Sequence, residues 1–149
     1  MADFNPAGVL NTLKSTGNGG NRNVYVDSVA VPDTLAPGDN IRPCRVAGGT
    51  LVDRVVIKND ELDTNLSPTL AATIGFRAVD GSPQSPADVI AVAEDDAFAN
   101  AAGTNTFEIF PPYLVERDSF LEINVTTAAA TAAAGTVSAK VEGEAVGVA

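Results

Sequence analysis

Acidic side chains are the residues of this sequence with the most evident chemistry. They cluster in the segment 60–65, which holds three acids and an asparagine, and in Glu94-Asp95-Asp96. Hard cations such as Ca²⁺ bind several oxygens from one loop, so the segment 60–65 is a candidate cation site. It lacks the central glycine and closing glutamate of an EF-hand, and a solvated loop with Asx-type turns is the favoured interpretation. Three adjacent acids on a helix point in different directions, which favours a solvated face for Glu94-Asp95-Asp96.

Residues for nucleophilic or acid–base catalysis are scarce. The chain has no histidine, no tryptophan, two tyrosines and one cysteine. Its serines therefore lack an imidazole to activate them, and neither Gly-x-Ser-x-Gly nor Ser-x-x-Lys occurs. Cys44 lies between Arg42 and Arg45, which would lower the pKa of a thiol, although burial as a small apolar residue is the more common outcome. We predict no enzymatic activity, no metal site and no cofactor.

The charge balance bears on possible partners. The chain carries 19 acidic and 9 basic residues, a net charge of −10 at pH 7. Binding to nucleic acid requires clustered cations that neutralise phosphates, so contact with DNA or RNA is disfavoured. The first residues do not resemble a secretory leader, and no run approaches the roughly 18 apolar residues of a membrane span. We expect synthesis in a cytosol-like compartment and neither nucleic acid nor membrane as a partner.

Alternation of apolar and polar residues with a period of two dominates the chain after residue 22. At 149 residues, the chain has the size of one domain. Alternation and turn residues predict strands at 23–31, 40–46, 51–58, 69–78, 106–110, 113–115, 119–127 and 136–146. These strands do not alternate with helices as in a parallel sheet. We therefore predict a mainly β protein, an antiparallel β-sandwich of jelly-roll or Greek-key type.

The strands differ in how clearly the pattern defines their buried face. The clearest inward set is Leu70, Ala72, Ile74, Phe76 and Ala78. In the first strand the apolar positions change parity between Val26 and Val29, which predicts a β-bulge. Pro111-Pro112 is expected to interrupt the sheet.

One helix is predicted within the domain. Ser85 suits an N-cap, Pro86 suits the first helical position and Gly103 is a stop signal, so the helix should run from Pro86 to about Ala102. The alanine-rich segment 127–135 lies between two strands. For that reason we predict a hairpin loop of small residues there, packed closely against a neighbouring segment, rather than a second helix.

Residues 1–22 are predicted to form an extended N-terminal arm before a β-sandwich domain of residues 23–149. The arm has apolar residues at helical spacing followed by a glycine-rich stretch. A helix this short is not stable alone, so the arm either stays disordered or docks on a neighbouring subunit. The candidate protein contacts are Phe4, Val9, Leu10 and Leu13 in the arm, with Ala129 and Ala132 in the alanine-rich loop.

Several turn-and-strand segments resemble small virion structural proteins of tailed bacteriophages. These segments are 36–42, 48–57, 60–65, 74–76, 121–128 and 131–137. The resemblance implies a head decoration (cement) protein, which is a β-sandwich on the outside of a DNA-filled capsid, often trimeric, that clamps adjacent major capsid protein subunits. The chain departs from this family in Cys44 and in Gly48-Gly49, where such sequences commonly have Leu-Pro-x-Gly.

The resemblance gives the expected function. The chain is expected to bind the major capsid protein on the capsid surface, as a homotrimer, after synthesis in the host cytoplasm. One alternative is another virion component, such as a β-domain of the tail, neck or fibre. A second alternative is a module that binds a host glycan, which the lack of tryptophan disfavours.

Overall fold

The described part of the chain contains ten strands. The computed structural model describes residues 1–4, 22–81, 89–93 and 102–146, with 89–93 as backbone only. The strands are β1 Asp3–Phe4, β2 Arg22–Val31, β3 Asn40–Ile41, β4 Arg45–Val46, β5 Thr50–Asn59, β6 Ala71–Ala78, β7 Val89–Ala93, β8 Gly103–Val115, β9 Ser119–Thr127 and β10 Gly135–Ala145. These residues contain no helix, and hence no helix long and apolar enough to span a membrane.

The strands form two sheets. Sheet A has the order β1-β3-β9-β6-β7, with β4 also paired to β9, and sheet B has the order β2-β10-β5-β8. Apart from the parallel pair β1–β3, the pairings are antiparallel. If β3 and β4 count as one interrupted strand, the eight strands from β2 to β10 have jelly-roll order, with the first beside the last. The predicted mainly β, two-sheet architecture is confirmed.

One hydrophobic core lies between the inner faces of the two sheets. All five inward residues predicted for 69–78 are buried, and Leu121, Ile123 and Val125 of β9 extend the same layer. From sheet B, Val55, Ile57, Val137, Ala139 and Val141 face them. The ring of Phe76 in sheet A stacks on Tyr113 in sheet B with centroids 5.3 Å apart. This core, in which valine is the most frequent residue, suits two closely spaced sheets.

The predicted parity change in β2 is wrong. Strand β2 pairs with β10 without a register shift, and it buries Tyr25 and Val29 while Val26 faces solvent. The Tyr25 ring is larger than a valine, and its hydroxyl lies 3.0 Å from Thr50 Oγ1 and accepts a hydrogen bond from Asn23 Nδ2. A tyrosine with its polar end satisfied gains more from burial than a valine does. The parity change occurs instead in β5, at a register shift between Val52 and Arg54.

The predicted helix from Pro86 to Ala102 is wrong where the structure describes it. Residues Val89–Ala93 form β7, antiparallel to β6 at the edge of sheet A. Their β-branched side chains have low helix propensity, and β6 offers an unpaired edge for backbone hydrogen bonds. Capping signals such as Ser85 are local and do not compete with that pairing. The remaining helix positions at 86–88 and 94–101 lie outside the described residues.

Two further sequence predictions need correction. The strand expected at 40–46 is two short strands, β3 and β4, because Pro43 lies between them and cannot donate a ladder hydrogen bond. The alanine-rich segment does not close a hairpin, since it connects β9 in sheet A to β10 in sheet B. It is a crossover at one end of the sandwich. Pro111-Pro112 lies within β8, but the pairing with β5 is interrupted there, as expected.

Candidate functional site

Strand β1, at the start of the chain, is part of sheet A. Ala2 O accepts a hydrogen bond from Asn40 N at 2.8 Å, and Phe4 O accepts one from Arg42 N at 2.7 Å. The Phe4 side chain is partly buried against the core of its own chain. The other predicted arm contacts, Val9, Leu10 and Leu13, lie outside the described residues. Phe4 therefore anchors the start of the arm to the sandwich, and the rest of that prediction stays a prediction.

Asp63 joins two loops at one end of the sandwich. Its Oδ1 accepts hydrogen bonds from the backbone N–H groups of Asn65 and Thr131, and its Oδ2 accepts them from Thr69, Leu70 and Ala130. The donors on Ala130 and Thr131 belong to the alanine-rich loop 128–134, and those on Asn65, Thr69 and Leu70 belong to the segment after Asp63. One carboxylate thus adds five hydrogen bonds to the two backbone hydrogen bonds that join these loops, from Thr64 N to Thr131 O and from Ala133 N to Leu62 O.

The electrostatics of Asp63 follow from this geometry. The side chain is fully buried, and burial alone would raise the pKa. The N–H donors on Thr131, Thr69, Ala130 and Asn65 stabilise the anion and lower the pKa to about 2. The expectation of a solvated loop is therefore wrong for Asp63 and for Leu62, which is also fully buried.

The alternative interpretation of 60–65 is a cation site, which requires several ligating side chains close together. No group of three or more Asp, Glu, Cys or His side chains suited to a metal occurs in the described part of the chain. Both Asp63 oxygens already face N–H groups, and the Asp60 carboxylate accepts a hydrogen bond from Thr136 N at 2.7 Å. Asp60 therefore binds the start of β10, and Asp63 binds the alanine-rich loop.

The two alanine contact candidates lie in the loop that Asp63 fixes. Ala129 is partly buried and packs on the core, and Ala132 forms an isolated β-bridge with Asp63. At the end of the loop, a Cβ on Gly135 would lie 2.8 Å from Asp60 Cβ, so this close approach requires glycine. The expected close packing of small residues is present, and here it occurs within the chain.

An ion cluster on the outer face of sheet A was not predicted from the sequence. Glu122 Oε2 accepts hydrogen bonds from Arg42 Nε at 2.9 Å and Nη2 at 2.7 Å, and Arg77 Nε lies 3.5 Å from Glu122 Oε1. Arg42 Nη1 also donates to Asp3 Oδ2 at 3.0 Å, and its guanidinium lies over the Phe120 ring. These interactions join β1, β6 and β9.

The ion cluster lines an open groove of about 550 Å³. Asn40, Thr73, Gly75 and Asn124 also line it, and Asn124 Nδ2 donates to Asn40 Oδ1 at 2.7 Å. Alternation alone places Arg77 and Glu122 on the outer face. The strand register places Gly75 opposite Glu122. Because glycine has no side chain, space is left beside Glu122, where Arg42 and Arg77 converge. Both guanidiniums that line the groove already have carboxylate partners.

A second ion-pair network covers the outer face of sheet B. Glu142 lies within 2.9 Å of Lys140 Nζ, 3.4 Å of Arg54 Nη1 and 3.6 Å of Arg22 Nη2. The hydrogen bond from Lys140 is the main cause that lowers the pKa of Glu142. Arg22 also forms a two-point contact with Asp53, and this hydrogen bonding lowers the pKa of that carboxyl. The network links strands β2, β5 and β10.

Cys44 is part of the core. It is fully buried, and burial, with the negative charge of Asp27, raises the pKa of its thiol. The neighbouring Arg42 and Arg45 do not activate it, since their guanidiniums pair with Glu122 and Asp118 instead. The interpretation of Cys44 as a small buried residue is confirmed, and a reactive thiol in the folded chain is not supported.

The comparisons with known proteins concern the whole sandwich. No protein-family model matches the chain, and no curated protein sequence is detectably similar. A chain of the cyanophage Pam1 capsid asymmetric unit is 26% identical, with a TM-score of 0.66 over 87% of this chain and 89% of that one. A chain of the Ralstonia phage GP4 capsid shares the fold, with 20% identity and a TM-score of 0.69 over 99% and 100% of the two chains. This protein is thus similar, over most of its length, to chains of two bacteriophage capsids.

Proposed function

We propose that this chain is a bacteriophage capsid decoration protein that binds the outside of the head and stabilises contacts between major capsid protein subunits. The observation that carries the proposal is the reciprocal likeness to phage capsid chains, which extends over 87% of this chain and 89% of the Pam1 chain. Because coverage is high on both sides, each matched chain is about as long as this one. The likeness is therefore to a whole small subunit rather than to one domain of a large shell protein.

The charge distribution favours the outside of a DNA-filled head. The net charge is −10, and every arginine in the described residues pairs with an acidic side chain of the same chain. Little cationic surface is left to neutralise phosphates. Excess negative charge also keeps a protein present in many copies soluble before assembly.

The way the sandwich is held together suits a mechanical role. Asp63 fixes the two end loops, the Glu122 cluster ties the N-terminal strand to sheet A, and the Glu142 network covers sheet B. A subunit with ordered surface loops loses little conformational entropy when it binds. Many modest contacts of this kind, closed by symmetry into a homotrimer on the shell, would act together through their high effective concentration.

The proposal is tested with heads assembled with and without this protein. Purified protein should co-sediment with heads that lack it, at a copy number in fixed ratio to the major capsid protein, and should raise the temperature at which the heads release DNA. Native mass measurement should give the mass of three chains. A few copies per particle would favour a tail, neck or fibre component instead, and unchanged DNA release would reject a cementing role.

A further inference from the structure

Strand β8 carries an exposed apolar projection that the function described so far does not use. Phe110 is 94% exposed, Pro111 and Pro112 are exposed, and Leu114 is 40% exposed. We call these four residues the β8 knob. A phenyl ring held almost entirely in water costs free energy, and at protein interfaces such aromatic side chains supply much of the binding energy when they enter a pocket.

The knob is displayed by a bulge at the edge of sheet B. Arg54 pairs with Glu108 and Val52 pairs with Tyr113, so residues 109–112 of β8 lie opposite the single residue Asp53 of β5. Bulges at sheet edges direct side chains away from the sheet. The prolines also prevent another strand from pairing along this part of the edge, since they have no N–H to donate.

Core residues on both sides fix the position of the knob. Ile109 precedes it and is buried, Tyr113 stacks on Phe76, and Val115 is fully buried. The backbone on either side of Phe110 is therefore tied to the centre of the sandwich. The projection is already ordered before any partner binds, which lowers the entropic cost of association.

Charges around the knob indicate what it fits. Asp53 lies opposite the bulge, Glu108 and Glu116 flank it in sequence, and Glu144 pairs across the sheet with Leu51, the β5 neighbour of Leu114. The nearby cations Arg22, Arg54 and Arg117 are already paired with Asp53, Glu108 and Asp80. Because the acids still outnumber these cations, the charge beside the knob is negative. A second copy of this chain would bring equal negative charge to the contact. An apolar pocket with a rim of lysine or arginine would complement both the ring and the acids.

We propose that the β8 knob is the site at which this chain inserts into a shell subunit of different sequence, with Phe110 in an apolar pocket that has a basic rim. The inference rests on the proposed function, because it takes a capsid subunit as the partner. It adds the surface that makes the contact and the chemistry of the surface that receives it.

The first test compares matched serine variants in co-sedimentation with heads that lack this protein. Phe110→Ser removes the ring, and Val26→Ser is the control, since Val26 is 39% exposed on the opposite edge strand, β2, of the same sheet. We expect Phe110→Ser to weaken binding about thirtyfold or more, as for a central interface residue. Val26→Ser should bind within about twofold of the wild type. Equal binding by wild type and Phe110→Ser would overturn the inference and leave the proposed function standing.

The second test uses the absence of tryptophan from the chain. In Phe110→Trp, acrylamide should quench the single tryptophan freely in the isolated protein and much less once heads are added, whereas the tryptophan of Val26→Trp should stay quenchable. Protection of the indole of Phe110→Trp in the dilute protein would mean that another segment of the same chain covers the knob. Protection that grows with protein concentration would mean that a second copy covers it. Either result overturns the inference, and wild-type protein that does not bind heads overturns the proposed function as well.

Discussion

Replacement of Asp63 by asparagine is the most direct test of how the sandwich end is held. Asparagine keeps the shape of the side chain but turns one acceptor oxygen into an NH2 group. Oδ1 faces two backbone N–H donors and Oδ2 faces three, so either orientation of the amide sets an NH2 against at least two donors. A buried N–H left without an acceptor costs about 1–3 kcal/mol. We expect Asp63→Asn to lower the free energy of unfolding at pH 7 by about 2–4 kcal/mol.

The same carboxylate predicts a pH dependence. Its pKa is about 2 in the folded chain, against an ordinary value of 3.8. Because the folded state holds the proton less tightly, the unfolded state binds more protons between these values, and stability falls as the pH falls. The shift corresponds to about 2 kcal/mol, present in full above pH 4 and lost as the pH approaches about 2. Asp63→Asn lacks this titration, so the difference in unfolding free energy between the variant and the wild type should become smaller in acid.

Urea unfolding followed by circular dichroism measures both effects. The midpoint should fall at an unchanged slope, because the surface exposed on unfolding stays the same. Asp60→Asn is the matched control, since the exposed Asp60 carboxylate accepts one hydrogen bond, from Thr136 N, and its loss should cost about 1 kcal/mol or less. Two results would refute this account of Asp63. One is a loss of unfolding free energy in Asp63→Asn that is no larger than in the control, and the other is a loss that stays constant from pH 7 to pH 2.

Two further predictions concern other buried groups. A thiol reagent should modify Cys44 of the native protein only at the rate of unfolding, because the thiol is buried and its pKa is raised. In strong denaturant the reagent should react at once. Rapid labelling of the native chain would contradict the structure. Glu122→Gln should lower stability by about 2 kcal/mol, because it leaves Arg42 and Arg77 without their shared carboxylate. The control is Glu108→Gln, at an exposed ion pair with Arg54, which should lower the free energy of unfolding by less than about 0.5 kcal/mol. Equal losses of unfolding free energy for the two variants in urea would show that the Glu122 cluster stabilises the fold no more than a surface ion pair does.

Features that depend on neighbouring residues in the sequence were predicted well. The five inward residues that alternation predicts along 69–78 are all buried, and so are Leu121, Ile123 and Val125 of β9. This works because successive side chains of a strand point to opposite faces, so the pattern itself states which face is buried. The two-sheet, mainly β architecture follows from the spacing of these strands.

Features that depend on which strands lie side by side were not predicted. The capping signals at Ser85 and Pro86 favour a helix, yet Val89–Ala93 pairs with β6 because that edge is available. Tyr25 is buried because Thr50, far along the chain, offers its hydroxyl a partner. In both places a tertiary contact outweighs a local preference.

The sequence by itself determined the acidic charge, the β pattern and the resemblance to phage structural proteins, since each is a property of composition or of short-range order. Only the tertiary structure decided that Asp63 is a buried anchor, that Glu122 joins two arginines and that Phe110 projects from a bulge. Each of these depends on strand register, which brings residues distant in sequence within hydrogen-bond range or leaves them without a neighbour. Register is set by the packing of both sheets on one core, and no short segment of the sequence carries that information.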